Sequence, residues 1–234
     1  ILVISHTNAA VDEIKNKIGK YCPELFSCPN FIGTIQSFTD RFLAIPFYVN
    51  WNKSKLFCID DDIFNDMVER FYFSLDPRSG IKFWIDKKRD PIKFLQDLRF
   101  DAEMNLADQV DGKIVLKSER DSRTYRALKR NKLSWLRSGI LNYDDAYFFA
   151  NIYLKKYQKI KTILQKRFQF VFVDEMQDMD KQQHDLLEKI FYDDSVSASK
   201  YQRVGDKNQA IFSHNMKLDE VWSKRDTLTI NGSH

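Results

Sequence analysis

The sequence has 234 residues, of which 43% are hydrophobic and 30% charged, with a formal net charge of +4. This length and apolar content suffice for a folded core and exclude an intrinsically disordered chain. The mean hydropathy of -0.48 and the absence of an apolar run of about eighteen residues argue against a transmembrane helix. Three cysteines, at spacings unlike those of metal sites, predict reduced thiols, so we expect a cytoplasmic protein without a membrane partner.

The first fifty residues predict two strand-and-helix units. Apolar residues 1–5 predict a buried strand, and the following helical pattern ends at Gly19. The second predicted strand begins at Phe31, and we expect the helix that follows it to stop at Pro46. Because a buried strand opens the sequence directly, we expect the chain to begin inside a domain.

The stretch from residue 49 to 141 has a different character, with aromatic and charged segments that predict helices over 63–73, 91–106 and 122–136. Between residues 113 and 137 there are nine Lys or Arg against two acidic residues. Such a concentration suits contact with a phosphate backbone. The alternative is an ordinary solvated helix face, formed by Lys117, Arg120, Arg123, Arg126, Lys129 and Arg130.

The strand-and-helix pattern then returns. Residues 143–164 predict a helix, and residues 168–173 are so apolar that we expect a strand in the middle of a covered parallel sheet. A helix over 182–191, a strand over 201–204 and a strand-like stretch over 227–230 follow. This alternation predicts an open α/β sheet with its ligand at the carboxyl ends of the strands.

Two adjacent acids, Asp174 and Glu175, end the apolar strand. Paired carboxylates at the end of a buried strand are unfavourable unless a cation or a proton compensates their charge. In nucleotide hydrolases the first acid of such a pair holds Mg²⁺ and the second positions or deprotonates the attacking water. The alternative is that both acids cap the following helix, whose N-terminus favours negative charge.

Four segments, in order along the chain, resemble motifs of UvrD-like helicases. TNAAVDEI at residues 7–14 resembles TNxAAxEM, and GTIQSF at residues 33–38 resembles GTxHSF. DEMQD at residues 174–178 resembles DExQD, and GDKNQAIF at residues 205–212 resembles GDxxQ[AS]I[YF]. The chain therefore resembles part of the first motor domain of a superfamily 1 DNA helicase of the UvrD/Rep type.

The resemblance implies an α/β fold, with a RecA-like parallel sheet flanked by helices and an inserted, mainly helical subdomain. The motor domain would comprise residues 1–48 and 142–234, and the insertion residues 49–141, which carry no recognisable motif. No GxxxxGK[ST] phosphate-binding loop occurs in the sequence. We therefore expect that loop to lie upstream, and we expect this fragment alone not to hydrolyse ATP efficiently.

The implied activity is movement along single-stranded DNA, typically 3′ to 5′, driven by ATP with Mg²⁺ and shared with a second RecA-like domain. Asp174 would hold the metal, Glu175 would be the catalytic base, and Gln209 would sense the γ-phosphate; these three residues would contact the nucleotide. The strand, or a single/double-strand junction, would be contacted by His6, Thr7, Asn8, Thr34, Gln36, Ser37, Phe212 and His214.

Two positions depart from the family pattern. His6 stands where an aromatic residue often precedes the TN pair, and Ser213-His214-Asn215 stands where a Ser-Trp-Arg-like run is usual. These changes put step coupling in doubt more than the fold. They leave open a degenerate module that binds single-stranded nucleic acid without hydrolysis. A two-metal nuclease built on Asp174, Glu175 and Asp178 is a third reading.

A narrower resemblance concerns the particular residues that occupy the late motifs. The acidic-strand segment, the form GDKNQAIFS and the final Gly-Ser-His are similar to the UvrD-like helicase subunit of Gabija-type antiphage defence systems. This resemblance implies a role in antiviral defence and a partner nuclease subunit.

Overall fold

A computed structural model describes residues 1–108, 122–192 and 197–206. The described residues divide into two compact units, one formed by residues 1–35 with the described residues from 161 onward and the other by the described residues between 36 and 160. The boundaries predicted at 48/49 and 141/142 lie inside the second unit, because residues 40–52 and 143–156 pack together there. Among the helices of the described ranges, none is long and apolar enough to cross a membrane.

Helices and strands alternate in the first unit, whereas helices dominate the second. In chain order the elements are β1 (Leu2–Ser5), α1 (Asn8–Ile18), β2 (Phe31–Thr34), α2 (Ile35–Thr39), α3 (Ile45–Asn52), β3 (Cys58–Ile59), α4 (Asp61–Ser74), α5 (Gly80–Ile85), α6 (Pro91–Gln96), β4 (Leu98–Phe100), β5 (Leu106–Asp108), α7 (Arg123–Arg137), β6 (Ile140–Leu141), α8 (Tyr143–Lys156), α9 (Lys159–Arg167), β7 (Phe170–Val173), α10 (Lys181–Phe191) and β8 (Lys200–Arg203).

The first unit is built on a four-stranded sheet in the order β2-β1-β7-β8, and every neighbouring pair is parallel. This confirms the predicted α/β class with a parallel central sheet. The apolar strand β7 lies between β1 and β8, and Val171 and Val173 are buried. Phe170 and Phe172 are 43% and 36% exposed, so the prediction that both faces of this strand are covered is wrong for the described part of the chain.

Caps and apolar faces explain the helices of this unit. Thr7 precedes α1 in an extended conformation, and its side chain accepts a hydrogen bond from the Ala10 backbone N–H at 3.2 Å. Asp180 begins α10 with a capping box completed by Gln183. The apolar face of α10 is buried, and Phe191 contacts Tyr201 of β8 with ring centroids 6.2 Å apart.

The second unit has an aromatic-rich core. The Phe149 ring of α8 lies 5.8, 5.6 and 5.2 Å from the rings of Phe47, Tyr48 and Trp51 of α3. The predicted helix stop at Pro46 is wrong, because a π-helical turn over Asp40–Ala44 leads into α3 and places Pro46 in its first turn. The fixed φ of proline is compatible with a helical conformation, so Pro46 does not end the helix here.

Two predicted helices are interrupted. The helix expected over 91–106 ends at Gln96 and is followed by the antiparallel hairpin of β4 and β5. The Asp101 carboxylate organises that turn, accepting hydrogen bonds from the backbone N–H groups of Glu103 at 3.0 Å and Asn105 at 2.8 Å. The helix expected over 143–164 is split into α8 and α9 where Tyr157 leaves the helical conformation.

A buried ion pair joins α7 to α8. The Lys132 Nζ lies 2.7 and 2.9 Å from the two carboxylate oxygens of Asp145, and the two side chains are 0% and 1% exposed. The ammonium also lies 4.8 Å from the centre of the Phe64 ring. One cation of the basic stretch is therefore part of the core rather than of the surface.

Candidate functional site

The carboxyl ends of the four parallel strands meet at one edge of the sheet. Ser5 of β1 is in register with Thr34 of β2, and Ile4 is in register with Val173 of β7. The Asp174 backbone N–H donates to the Ile4 carbonyl at 2.8 Å, continuing the ladder beyond β7. This arrangement brings Asp174 and Glu175 to the same edge as Ser5 and Thr34, where open α/β sheets bind their ligands.

Glu175 has an unusual backbone conformation. Its φ and ψ angles of 52° and 43° place it in the left-handed region, which non-glycine residues rarely adopt. The conformation turns the chain from β7 into a 3₁₀ turn over Met176–Asp178. Both Asp174 and Glu175 are partly exposed. Strained residues of this kind persist only where neighbouring contacts hold them, and they cluster at active sites.

The neighbouring contacts come from Gln177, which is only 4% exposed. Its amide nitrogen donates to the Glu175 carboxylate, and its amide oxygen accepts from the Asp206 backbone N–H at 3.1 Å. The Met176 backbone N–H donates to the Val204 carbonyl at 3.1 Å. The turn after β7 is therefore tied to the end of β8.

Gly205 allows this close approach. A Cβ atom at position 205 would lie 2.5 Å from the Gln177 amide oxygen and 2.7 Å from the Met176 side chain, both shorter than real Cβ contacts. Only glycine fits without a shift of these neighbours. The sequence predicts functional roles for the acids on either side of Gln177 but not for Gln177 itself, although the place of Gln177 inside the DExQD-like motif is a usable signal.

The end of β1 supplies polar groups of a different kind. Ser5 Oγ and His6 Nδ1 are buried and lack a hydrogen-bond partner among the residues that the structure describes. Buried polar groups without a protein partner usually mark a site of water, ion or ligand contact. Thr7 and Asn8, at the start of α1, are exposed. The predicted nucleic-acid residues His6, Thr7 and Asn8 thus share one edge of the sheet with Asp174 and Glu175.

Gln36 and Ser37, also predicted to contact DNA, are partly exposed residues of α2 and belong to the second unit. The Gln36 amide nitrogen donates to the Asp40 carboxylate at 2.7 Å. Burial raises the pKa of Asp40 to about 6, and the Gln36 hydrogen bond opposes that rise. One side of the Gln36 amide is therefore committed to Asp40. Gln209, Phe212 and His214 lie outside the described residues.

The donor set at the sheet edge suits a magnesium nucleotide. Mg²⁺ takes oxygen ligands and commonly binds proteins through one or two carboxylates, with water and substrate phosphates as the other ligands. Asp174 offers such a carboxylate, and the buried Ser5 hydroxyl lies at the end of the neighbouring strand. Within the described ranges, no group of three or more His, Cys, Asp or Glu side chains is arranged to hold a metal ion.

A second polar surface lies on α7. Four basic residues of α7 line a surface groove of about 500 Å³, namely Arg126, Lys129, Arg130 and Arg137. Leu133 and Ser134 complete the lining of the groove. The opposite face of the helix is buried through Tyr125, Leu128, Trp135 and Leu136. Among the described residues none of these four cations has a carboxylate partner within 4 Å. Arg126, Lys129 and Arg130 of the sequence-predicted basic cluster thus form a positive face without a carboxylate partner among the described residues, whereas Lys117 and Arg120 of that cluster lie outside the described residues.

The parallel sheet and the acid pair at its carboxyl edge define a RecA-like α/β domain. Residues 1–217 match the family model of the UvrD/REP helicase N-terminal domain, so the chain belongs to that family. This finding confirms the resemblance carried by the four motifs.

Two relatives illustrate the family. The chain is 23% identical over 225 residues to an ATP-dependent helicase/nuclease subunit of Natranaerobius thermophilus, an alignment that covers 95% of this chain and 16% of the relative. It is 32% identical over 77 residues to the ATP-dependent DNA helicase Rep of Buchnera aphidicola subsp. Acyrthosiphon pisum, covering 33% of this chain and 11% of the relative. The chain thus spans only a small part of the length of each of these two relatives.

Proposed function

We propose that the full-length protein containing this chain is an ATP-dependent translocase that moves 3′ to 5′ along single-stranded DNA. The observation that carries the proposal is the acid pair at the carboxyl edge of the parallel sheet, with Glu175 in a strained conformation and hydrogen-bonded by a buried glutamine. Membership of the UvrD/REP helicase family supports it. In this account residues 1–48 and 142–234 form the motor domain, and residues 49–141 form its inserted subdomain.

The proposed chemistry is hydrolysis of ATP with Mg²⁺. The bound nucleotide supplies the phosphoanhydride bond that is cleaved. Asp174 would hold the metal through its carboxylate, and the metal would offset negative charge on the phosphates. Glu175 orients the attacking water and accepts its proton on a carboxylate oxygen. Gln209 senses the γ-phosphate. The strained backbone of Glu175 fixes the direction in which its side chain leaves the main chain. Proton transfer to a carboxylate oxygen requires such positioning before the reaction begins.

The proposed DNA path begins at the carboxyl edge of the sheet. His6, Thr7, Asn8 and Thr34 contact the strand there, and polar side chains that are exposed, as in Thr7 and Asn8, or partly exposed, as in His6 and Thr34, suit sugar and phosphate contacts. Gln36, Ser37, Phe212 and His214 complete the proposed contacts, with Phe212 stacking on an unpaired base. The uncompensated basic face of α7 adds a sequence-independent attraction for phosphates.

The biological setting we propose is antiphage defence with a partner nuclease subunit. Two observations support this setting, the similarity of the late motifs to Gabija-type helicases and the match to a relative that is named a helicase/nuclease subunit. Loss of phage resistance in cells that carry Glu175→Gln, compared with wild type at equal protein level, is the expected result. A wild-type protein that confers no phage resistance would contradict the setting without affecting the proposed enzymology, whereas unchanged resistance in Glu175→Gln would contradict the need for Glu175 catalysis in that setting.

Directional movement is tested by streptavidin displacement from biotinylated oligonucleotides. A 3′ to 5′ translocase displaces streptavidin from the 5′ end in an ATP-dependent manner and leaves a 3′-end block in place. Displacement from the 3′ end alone would reverse the proposed polarity. DNA binding without displacement or ATP turnover would instead support the degenerate binding module.

A further inference from the structure

We propose that Gln177 is a positioning residue that sets the orientation of the Glu175 carboxylate and ties it to the end of β8. The inference rests on the proposed function of Glu175 and extends it to a residue that has no assigned role. Its basis is the bridge from the Glu175 carboxylate through the Gln177 amide to the Asp206 backbone N–H.

The orientation of the Gln177 amide follows from its two partners. The Asp206 backbone N–H can only donate, so the Gln177 oxygen must face it, at 3.1 Å. An ionised Glu175 carboxylate can only accept, so the Gln177 nitrogen must face it. A flipped amide would lose both hydrogen bonds at once. The bridge therefore has one arrangement that satisfies every group in it.

Packing limits any other arrangement. Gln177 is 4% exposed, and the space beside its amide oxygen is so narrow that a Cβ at position 205 would lie 2.5 Å from it. A glutamine side chain in such a site cannot exchange its protein partners for water without a shift of the turn that carries it. The Glu175 carboxylate consequently takes its position from the β8 end as well as from its own backbone.

The bridge gives the two carboxylate oxygens of Glu175 different roles. One oxygen accepts the Gln177 hydrogen bond, which leaves the other oxygen to receive a proton from water. A displacement of the β8 end relative to β7 moves the Gln177 amide and with it the carboxylate. Misplacement of a catalytic group by about 1 Å can cost about 100-fold in rate, so the bridge controls turnover more than it controls binding of the nucleotide.

Two variants distinguish the two hydrogen bonds that form the bridge. Gln177→Glu retains an oxygen that accepts from the Asp206 N–H but replaces the donor to Glu175 by a second carboxylate. Gln177→Leu removes both contacts and preserves much of the side-chain volume. Gln165→Leu is the matched control, because Gln165 is a buried glutamine of the same unit whose amide donates to the Ile190 carbonyl at 2.6 Å.

We expect both Gln177 variants of the full-length protein to lower kcat for DNA-stimulated ATP hydrolysis about 10- to 100-fold, with KM for ATP changed less than about twofold. Gln165→Leu should lower the melting temperature but keep wild-type kcat. Amide hydrogen exchange, measured without nucleotide, should show faster exchange at Asp206 in Gln177→Leu and near-wild-type protection in Gln177→Glu.

Wild-type kcat in Gln177→Glu, or a raised KM with unchanged kcat, would overturn the positioning role. Unchanged Asp206 protection in Gln177→Leu would overturn the bridge itself, and this readout needs no ATP turnover. Absence of ATP hydrolysis in the wild-type protein would refute the proposed function and with it the rate effect. The exchange measurement then still decides whether the bridge exists.

Discussion

Replacing Asp145 by asparagine should destabilise the second unit strongly, because it removes the counterion of a fully buried ammonium. Lys132 has two contacts to the Asp145 carboxylate, at 2.7 and 2.9 Å, and neither side chain is more than 1% exposed. Removing one partner of a buried ion pair typically costs about 3–5 kcal/mol, since the remaining charge stays in an apolar interior. The introduced carboxamide could offer only a neutral oxygen, with the face of Phe64 as the other nearby acceptor.

The lower part of that range is the better expectation for Asp145→Asn. Burial lowers the pKa of Lys132 to about 8, while the Asp145 charge opposes the decrease. Without that charge the pKa falls further, so Lys132 can lose its proton near neutral pH instead of remaining an unpaired cation. We therefore expect a loss of about 3 kcal/mol at pH 7. The double variant Lys132→Met/Asp145→Leu should recover most of it, because a well-packed apolar pair needs no counterion.

Urea denaturation followed by tryptophan fluorescence is a suitable assay, since Trp51, Trp84 and Trp135 all belong to the second unit. Asp144→Asn is the matched control. Its carboxylate pairs with Arg99 at 2.7 Å, but this pair is 29% and 16% exposed, so we expect a smaller loss of about 1 kcal/mol. A loss below about 1 kcal/mol for Asp145→Asn would refute the assignment of a charged, buried pair.

The raised pKa of Asp40 means that the folded state holds a proton which the unfolded state releases, so stability should fall by roughly 3 kcal/mol as pH rises from about 4 to about 6. Asp40→Asn should flatten this dependence in urea titrations across that range. Gly205→Ala should cost about 1–3 kcal/mol in thermal or urea unfolding through contact with Gln177; a neutral effect would contradict the tight turn. Arg126→Ala/Arg130→Ala should reduce the slope of log affinity for DNA against log salt by about 2, whereas a pair of exposed α9 lysines changed to Ala should leave it unaltered.

The sequence was most informative where strand and helix signals were long or flanked by strong end signals. The buried strand β1 with its capped helix, the strand that precedes Asp174 and the amphipathic α10 were all predicted close to their observed bounds. Apolar residues and caps within one short segment determine these elements, so local reasoning is sufficient. The Asp174-Glu175 pair followed from the same strand, because its place at the carboxyl end depends on chain order alone.

Local sequence patterns do not predict the structure where contacts between distant segments determine it. The hairpin of β4 and β5 has three-residue strands, too short for an alternating pattern to be distinguished from a helix. The burial of Lys132 depends on Asp145 in the next helix, and a lysine in a basic stretch gives no sign of that partner. The role of Gln177 depends on the Asp206 backbone, 29 residues further along the chain. Each of these features depends on a contact between separate segments of the chain, and the sequence does not show which segments meet.

The most direct test of the central claim is the DNA-stimulated ATPase activity of the full-length protein and of its Glu175→Gln variant. The carboxamide cannot accept the proton of the attacking water but keeps the size of the side chain. We predict that single-stranded DNA stimulates the wild-type rate, and that the variant loses about 10²- to 10⁴-fold in kcat while it still binds ATP and DNA. A variant that retains wild-type turnover, or a wild-type protein that binds DNA without hydrolysing ATP, would contradict the assignment of Glu175 as the catalytic base of a motor.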